Sequence, residues 1–225
     1  SVNFGTKNIS VLSGGYAWPY VYPWPQRPEG LVDEAFDELV RRWMPLLNFA
    51  ADHGITFGYE LHPGSDLFDG ASYLKFLGKT NFHSAACITY DPSHLHLQQL
   101  DYVEFIKIFA DRIKAFHVKD AEFNRSGLMG VLGGFEPWTK RAGRFRSPGD
   151  GQINFSRIFS TLTESGYKGW AILEWECCLK SMEQGATEGA SFIRDHLIET
   201  TKYAFDNFTQ TNADKRLNRQ ILGLN

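Results

Sequence analysis

The sequence predicts an α/β protein built as a parallel β/α barrel, with about five of the eight units present. Three observations point there. Strand-like and helix-like segments alternate along the 225 residues. The strands carry bulky apolar residues on one face and mostly smaller ones on the other, as the wall of a barrel does. Polar, chemistry-bearing residues close the strands at their C-terminal ends, where barrels keep their reactive groups.

The first strand is expected over residues 8–13, followed by a loop over 14–30 that contains four prolines. A helix over 31–52 comes next, with Pro45 expected to interrupt and kink it. Strand 55–62 sets Ile55, Phe57, Tyr59 and Leu61 against Thr56, Gly58, Glu60 and His62. After a helix over 70–77, strand 84–91 sets Ile88 and Tyr90 against Ala85, Cys87, Thr89 and Asp91. A helix over 102–111 leads to strand 113–119, where Ala115, His117 and Lys119 share a face. Residues 122–152 read as a long Gly- and Arg-rich connection, of a length that is usually functional or mobile. Helix 155–165 and strand 170–176 follow, with Trp170, Ile172, Glu174 and Glu176 on the inner face, and then a helix over 186–207. Gly54 and Gly166 stand just past two of these helices, where a left-handed residue is wanted.

An eight-stranded barrel needs three more units, on the order of 100 residues. Residues 1–208 are therefore expected to be the C-terminal part of a single TIM-barrel domain, and 209–225 a tail, either an oligomer arm or disordered. An open five-stranded doubly wound sheet is the competing architecture.

Composition excludes several classes. With 43% hydrophobic and 22% charged residues the chain is not a disordered one. A net charge of −3 disfavours a broad nucleic-acid surface, and no run is long enough to span a membrane. Cys87, Cys177 and Cys178 form no disulfide framework and no zinc-type spacing, so a reducing cytoplasm is expected. Aromatic residues, 15% of the chain and many in loops, suit a site that stacks on sugars and suit plain packing equally. Trp18, Trp24 and Trp138 are the candidates for such a wall.

Glu60 and Glu174 each end a well-patterned strand on its inner side. Two inward carboxylates at one depth repel unless a cation sits between them. Asp91 opens Asp91-Pro92-Ser93-His94, which is good turn chemistry as well as a ligand position. His117, alone, is equally a core histidine. Together these four make a hard, oxygen-rich divalent-metal site with Mn²⁺ as first choice and Mg²⁺, Co²⁺ or Zn²⁺ as alternatives.

The ordered pieces Gly58-Tyr59-Glu60-Leu61-His62, Asp91-Pro92-Ser93-His94, His117-Val118-Lys119-Asp120, Pro148-Gly149-Asp150-Gly151 and Gly166-Tyr167-Lys168-Gly169 leading to Ile172-Leu173-Glu174 carry a resemblance. The chain resembles the xylose-isomerase-like TIM (β/α)8 barrels, which include sugar phosphate isomerases/epimerases and ketose 3-epimerases. The resemblance implies that the visible strands are the fourth to eighth of the barrel. It implies Glu60, Asp91, His117 and Glu174 as metal ligands, with Glu60 and Glu174 also the catalytic acid/base pair. His94, His62, Lys119 and Arg146 become the expected substrate contacts. Arg144 is an alternative to Arg146, Glu176 to Glu174, and a merely solvated Lys119 is the safer reading of that residue.

The activity implied is that of a metal-dependent isomerase, a sugar isomerase or epimerase, working on a ketose through an enediolate and binding a small-molecule sugar. The alternative is a lyase or dehydratase of a keto-sugar or keto-inositol. An endonuclease for abasic DNA and a non-catalytic sugar-binding protein are weaker readings, the first because of the acidic balance.

Overall fold

The computed structural model describes residues 2–22, 26–201 and 214–224. Its strands are β1 (Asn8–Val11), β2 (Thr56–Glu60), β3 (Ala86–Tyr90), β4 (Ile113–Val118), β5 (Asp120–Phe123), β6 (Gly143–Arg146) and β7 (Trp170–Leu173). Strands β1, β2, β3, β4 and β7 pair in that order as one parallel sheet, and β5 pairs antiparallel with β6. The helices are α1 (Leu31–Asp52), α2 (Gly70–Lys79), α3 (Pro92–Leu97), α4 (Tyr102–Phe109), α5 (Phe155–Glu164), α6 (Met182–His196) and α7 (Lys215–Ile221).

The alternation read from the sequence becomes two layers. On the helix side Tyr59, Ile88, Tyr90 and Phe116 of the strands pack with Phe36, Leu39, Phe76, Ile106 and Ile158 of the helices, all buried. Burying each such side chain contributes about 1.5–3 kcal/mol, so this layer holds the sheet in shape. The other side is concave and, across β1, β2 and β3, carries the small residues Ser10, Gly58 and Thr89. Ser10 of β1 and Thr89 of β3 touch through their hydroxyls at 2.6 Å, reaching across the intervening strand. That approach passes over Gly58 of β2, where an added Cβ would collide with the Thr89 hydroxyl and the Asn8 side chain. Only glycine lets the sheet curl here.

Side-chain caps fix where the helices begin. Asp69 accepts from the Ser72 N–H while the Ser72 hydroxyl accepts from the Asp69 N–H, and Asp101, Asn154 and Ser181 cap α4, α5 and α6. Gly54 and Gly166 take positive φ, 65° and 73°, as their positions after two helices require.

Several expectations need correction. Helix α1 runs unbroken through Pro45, because the proline removes one hydrogen bond from a 22-residue helix anchored by Phe36, Leu39, Leu47 and Ala50. The 122–152 connection is not a plain loop: it takes in the last two residues of β5 and the whole of β6, which pair antiparallel. The last predicted helix starts earlier, at Met182 behind the Ser181 cap, and stops at His196; Asn207 lies outside the described residues, as does Trp24. The tail contains α7. Trp170 and Ile172, expected on a covered inner face, are 80% and 41% exposed, because no described strand pairs beyond β7. No helix among the described residues is long and apolar enough to cross a membrane.

Candidate metal centre

Four neighbouring strands of the sheet each bring one residue to its concave C-terminal edge: Glu60 ends β2, Asp91 follows β3, His117 lies in β4, and Glu174 follows β7. One ligand-type atom from each lies within 4.8 Å of all the others. The sequence-predicted set is thus brought together. Asp91 is both turn and inward group, through different oxygens. Its Oδ1 caps α3, accepting from the Ser93 N–H at 2.8 Å and the Ser93 hydroxyl at 2.6 Å, and its Oδ2 faces the cluster.

The converging atoms are Glu60 Oε1, Asp91 Oδ2, His117 Nδ1 and Glu174 Oε2, all buried and none in hydrogen-bond geometry with a partner among the described residues. His117 Nδ1 is only 2.5 Å from Glu174 Oε2 and 3.4 Å from Glu60 Oε1. Buried polar atoms left without partners cost stability unless something meets them. Three carboxylate oxygens and one imidazole nitrogen aimed at one point are the donor set a divalent cation takes, so the residues fit such an ion.

The electrostatics point the same way. Burial alone raises a carboxyl, but at Glu60 the His117 and His94 imidazoles outweigh it and hold the group well below its usual range. Burial likewise opposes the charge of His117, yet Glu174 and Glu60 push its imidazole up to about 10. Asp91 is held above its ordinary value, because burial exceeds the help of His94 and Lys119.

Around this core the other predicted residues take distinct places. His94, in α3, lies 3.4 Å from Glu60 Oε1 and 3.6 Å from Asp91 Oδ2, with the half-buried His62 ring 4.2 Å away. Lys119 is not solvated: it is 2% exposed, because the cluster's carboxylates surround it. Glu176 pairs with Lys119 at 3.0 Å and is not among the four converging residues, which separates it from Glu174. Arg146 places Nη1 2.9 Å from Glu122 Oε1 and leaves its buried Nε without a partner. Arg144 is turned to other partners, its Nε donating to Glu122 Oε1 and its Nη1 to the Thr139 carbonyl, each at 2.5 Å. Trp18 packs edge-on against Phe68 in a cavity of about 260 Å³ lined by Val32, Phe36 and Lys75, none of them site residues. Trp138 does reach the site, through Phe145: its ring is 5.1 Å from Phe145, which lies 5.4 Å from His94 and 4.5 Å from the Lys119 ammonium.

Sequence reasoning missed Phe145 and the clamp beside it. The buried Asp120 carboxylate accepts from the N–H groups of Gly149 and Gly151, both at 2.9 Å, and of Ile153 at 3.2 Å. The His117-to-Asp120 and Pro148-to-Gly151 motifs are therefore two halves of one joint. An apolar residue between two arginines in β6 was the available signal for Phe145.

A family model described as the xylose isomerase-like TIM barrel matches residues 1–196. The chain belongs to this family. Among known proteins, an inosose dehydratase from Clostridium botulinum (strain Alaska E43 / Type E3) is 30% identical over 149 residues, 64% of this chain and 48% of that protein. The chain spans about half the length of the curated relatives it matches. The solved 3-keto-D-glucoside 4-epimerase YcjR from E. coli superposes with a TM-score of 0.63 at 16% identity, over 85% of this chain and 65% of that one. The IOLI protein with a binding zinc atom gives 0.60 at 18%, over 86% and 63%. At such identities the likeness is one of fold: five parallel strands here form part of a xylose isomerase-like barrel.

Proposed function

We propose that this chain carries the metal-holding part of an enolising enzyme for a keto-polyol, and that its reaction is dehydration. The carrying observation is the convergence of four buried atoms, none of them hydrogen-bonded, from Glu60, Asp91, His117 and Glu174. One divalent ion held there, Mn²⁺ before Mg²⁺, Co²⁺ or Zn²⁺, would supply Lewis-acid stabilisation of the oxygen that gains charge on enolisation. The zinc in the IOLI protein supports a divalent ion without choosing among them.

The chain's own residues do the rest. Glu60 and Glu174 approach from β2 and β7, opposite flanks of the cluster, and both are held below the ordinary carboxyl range despite burial, so both are ionised at neutral pH. One removes the proton from the carbon beside the carbonyl. In dehydration the carboxyl that took this proton hands it to the departing β-hydroxyl, which leaves as water; in epimerisation it releases the proton to solvent, and its partner, having taken one up from solvent, protonates the carbon on the other face. His94, His62 and the unspent Nε of Arg146 hold substrate oxygens, and Phe145 with Trp138 forms the wall.

The order of the two readings drawn from the sequence is reversed here. The inosose dehydratase similarity supports the lyase, and the epimerase among the structural neighbours keeps epimerisation as the second reading. The test is to incubate the Mn²⁺-loaded chain with a keto-inositol in D₂O and follow it by NMR and ultraviolet absorbance. Dehydration is expected to consume substrate with a new conjugated-carbonyl band. Deuterium at carbon without that band would favour epimerisation, and no exchange beyond that of Glu60→Gln would refute both.

A further inference from the structure

Lysine is among the side chains least often fully buried, because its ammonium is strongly hydrated. Lys119, directly after β4, is an exception with a built surround. Its Nζ is 3.0 Å from Glu176 Oε2, 3.5 Å from Asp91 Oδ2 and 3.6 Å from Glu174 Oε1. It donates to His94 Nε2 at 3.2 Å, and the Phe145 ring covers a further side.

Three carboxylate oxygens and an imidazole nitrogen again make the donor set of a divalent cation. Two of these groups also belong to the first cluster. Glu174 turns Oε2 toward His117 Nδ1 and Oε1 toward Lys119, while Asp91 Oδ2 lies 3.9 Å from His117 Nδ1 and 3.5 Å from Lys119. In two-metal centres the ions stand about 3.5–4 Å apart, a gap that one carboxylate can span with an oxygen on each.

We infer that the Lys119 ammonium fills the second cation position of a carboxylate-bridged centre and so restricts this site to one divalent ion. The inference rests on the proposed metal site and goes beyond it. Paired ions are the arrangement of phosphatases and nucleases, which clamp attacking and leaving oxygens of a phosphate. A single ion beside a fixed ammonium suits an uncharged keto-polyol instead. Lys119 is thus a specificity-determining residue for metal number.

The experiment titrates Mn²⁺ into chelator-stripped protein by calorimetry, with electron paramagnetic resonance as the second readout. Wild type and Lys119→Arg should each take one ion per chain and give an isolated six-line signal. Lys119→Ala should take two and show exchange-broadened, coupled ions. A folded Lys119→Ala that still takes one ion overturns the inference, as does a wild type that already takes two; both leave the metal site itself standing. A wild type that takes none overturns the metal site as well. If Lys119→Ala does not fold, Glu176→Gln decides. It should keep one ion with affinity within about tenfold, since an exposed charge contributes little. A loss beyond about a hundredfold, more than outer partners cost, would make Glu176 a direct ligand and overturn the inference.

Discussion

The two oxygens of Asp91 face different partners: Oδ1 takes the Ser93 N–H and hydroxyl, and Oδ2 points into the cluster. Asparagine caps helices as well as aspartate does, but its amide nitrogen is no ligand. Asp91→Asn should therefore leave the thermal midpoint nearly unchanged and weaken Mn²⁺ binding more than about tenfold. Equal loss in melting and calorimetry would contradict this division of labour. His117 makes a second residue-scale prediction. Without an ion its imidazole titrates near 10, because Glu174 and Glu60 outweigh burial, so at neutral pH it carries a proton that an ion must displace. Apparent affinity should then rise with pH, by about tenfold per unit while one proton is released. Calorimetry in buffers of different ionisation enthalpy should find close to one proton released per ion at pH 7, and none released would refute it.

At the scale of elements, the β5–β6 pair connects the long insertion to the site. Asp120 holds the turn after β6 through backbone N–H groups, and an amide can satisfy fewer of them. Asp120→Asn should cost about 1–3 kcal/mol in urea unfolding, the penalty for buried donors left unpaired; a change under a few tenths would show that the clamp is not needed. Trp138→Ala should raise KM for the keto-polyol and leave Mn²⁺ affinity alone, since its ring reaches the site only through Phe145. A changed metal affinity would place Trp138 nearer the ligands than its ring geometry does. The strands of the main sheet were legible because apolar residues recur with period two over the helix layer, as in Phe57 and Tyr59. The β5–β6 pair was not: two four-residue strands separated by a Gly- and Arg-rich stretch leave too short an alternation to stand out. Pro45 misled for the reason that propensity is local, whereas α1 is held by its buried face.

At the scale of the whole molecule, the main sheet among the described residues ends in β1 and β7, and β7 exposes Trp170 and Ile172. The four ligand-type residues were legible as polar ends of strands and, with the family resemblance, as one set, but the geometry of their meeting point was not. It depends on sheet order and on the curl that Gly58 permits, which no local pattern encodes. The neighbouring Lys119 was misjudged for the same cause, since its burial comes from carboxylates at the ends of two other strands, β3 and β7. The central claim is accordingly about assembly: strands spread from Thr56 to Leu173 build one divalent-metal centre. Anomalous X-ray scattering from crystals soaked in Mn²⁺ tests it most directly. A single strong peak where Glu60, Asp91, His117 and Glu174 converge is the predicted result, and saturating Mn²⁺ with no peak there, or with the peak held by other residues, would contradict it.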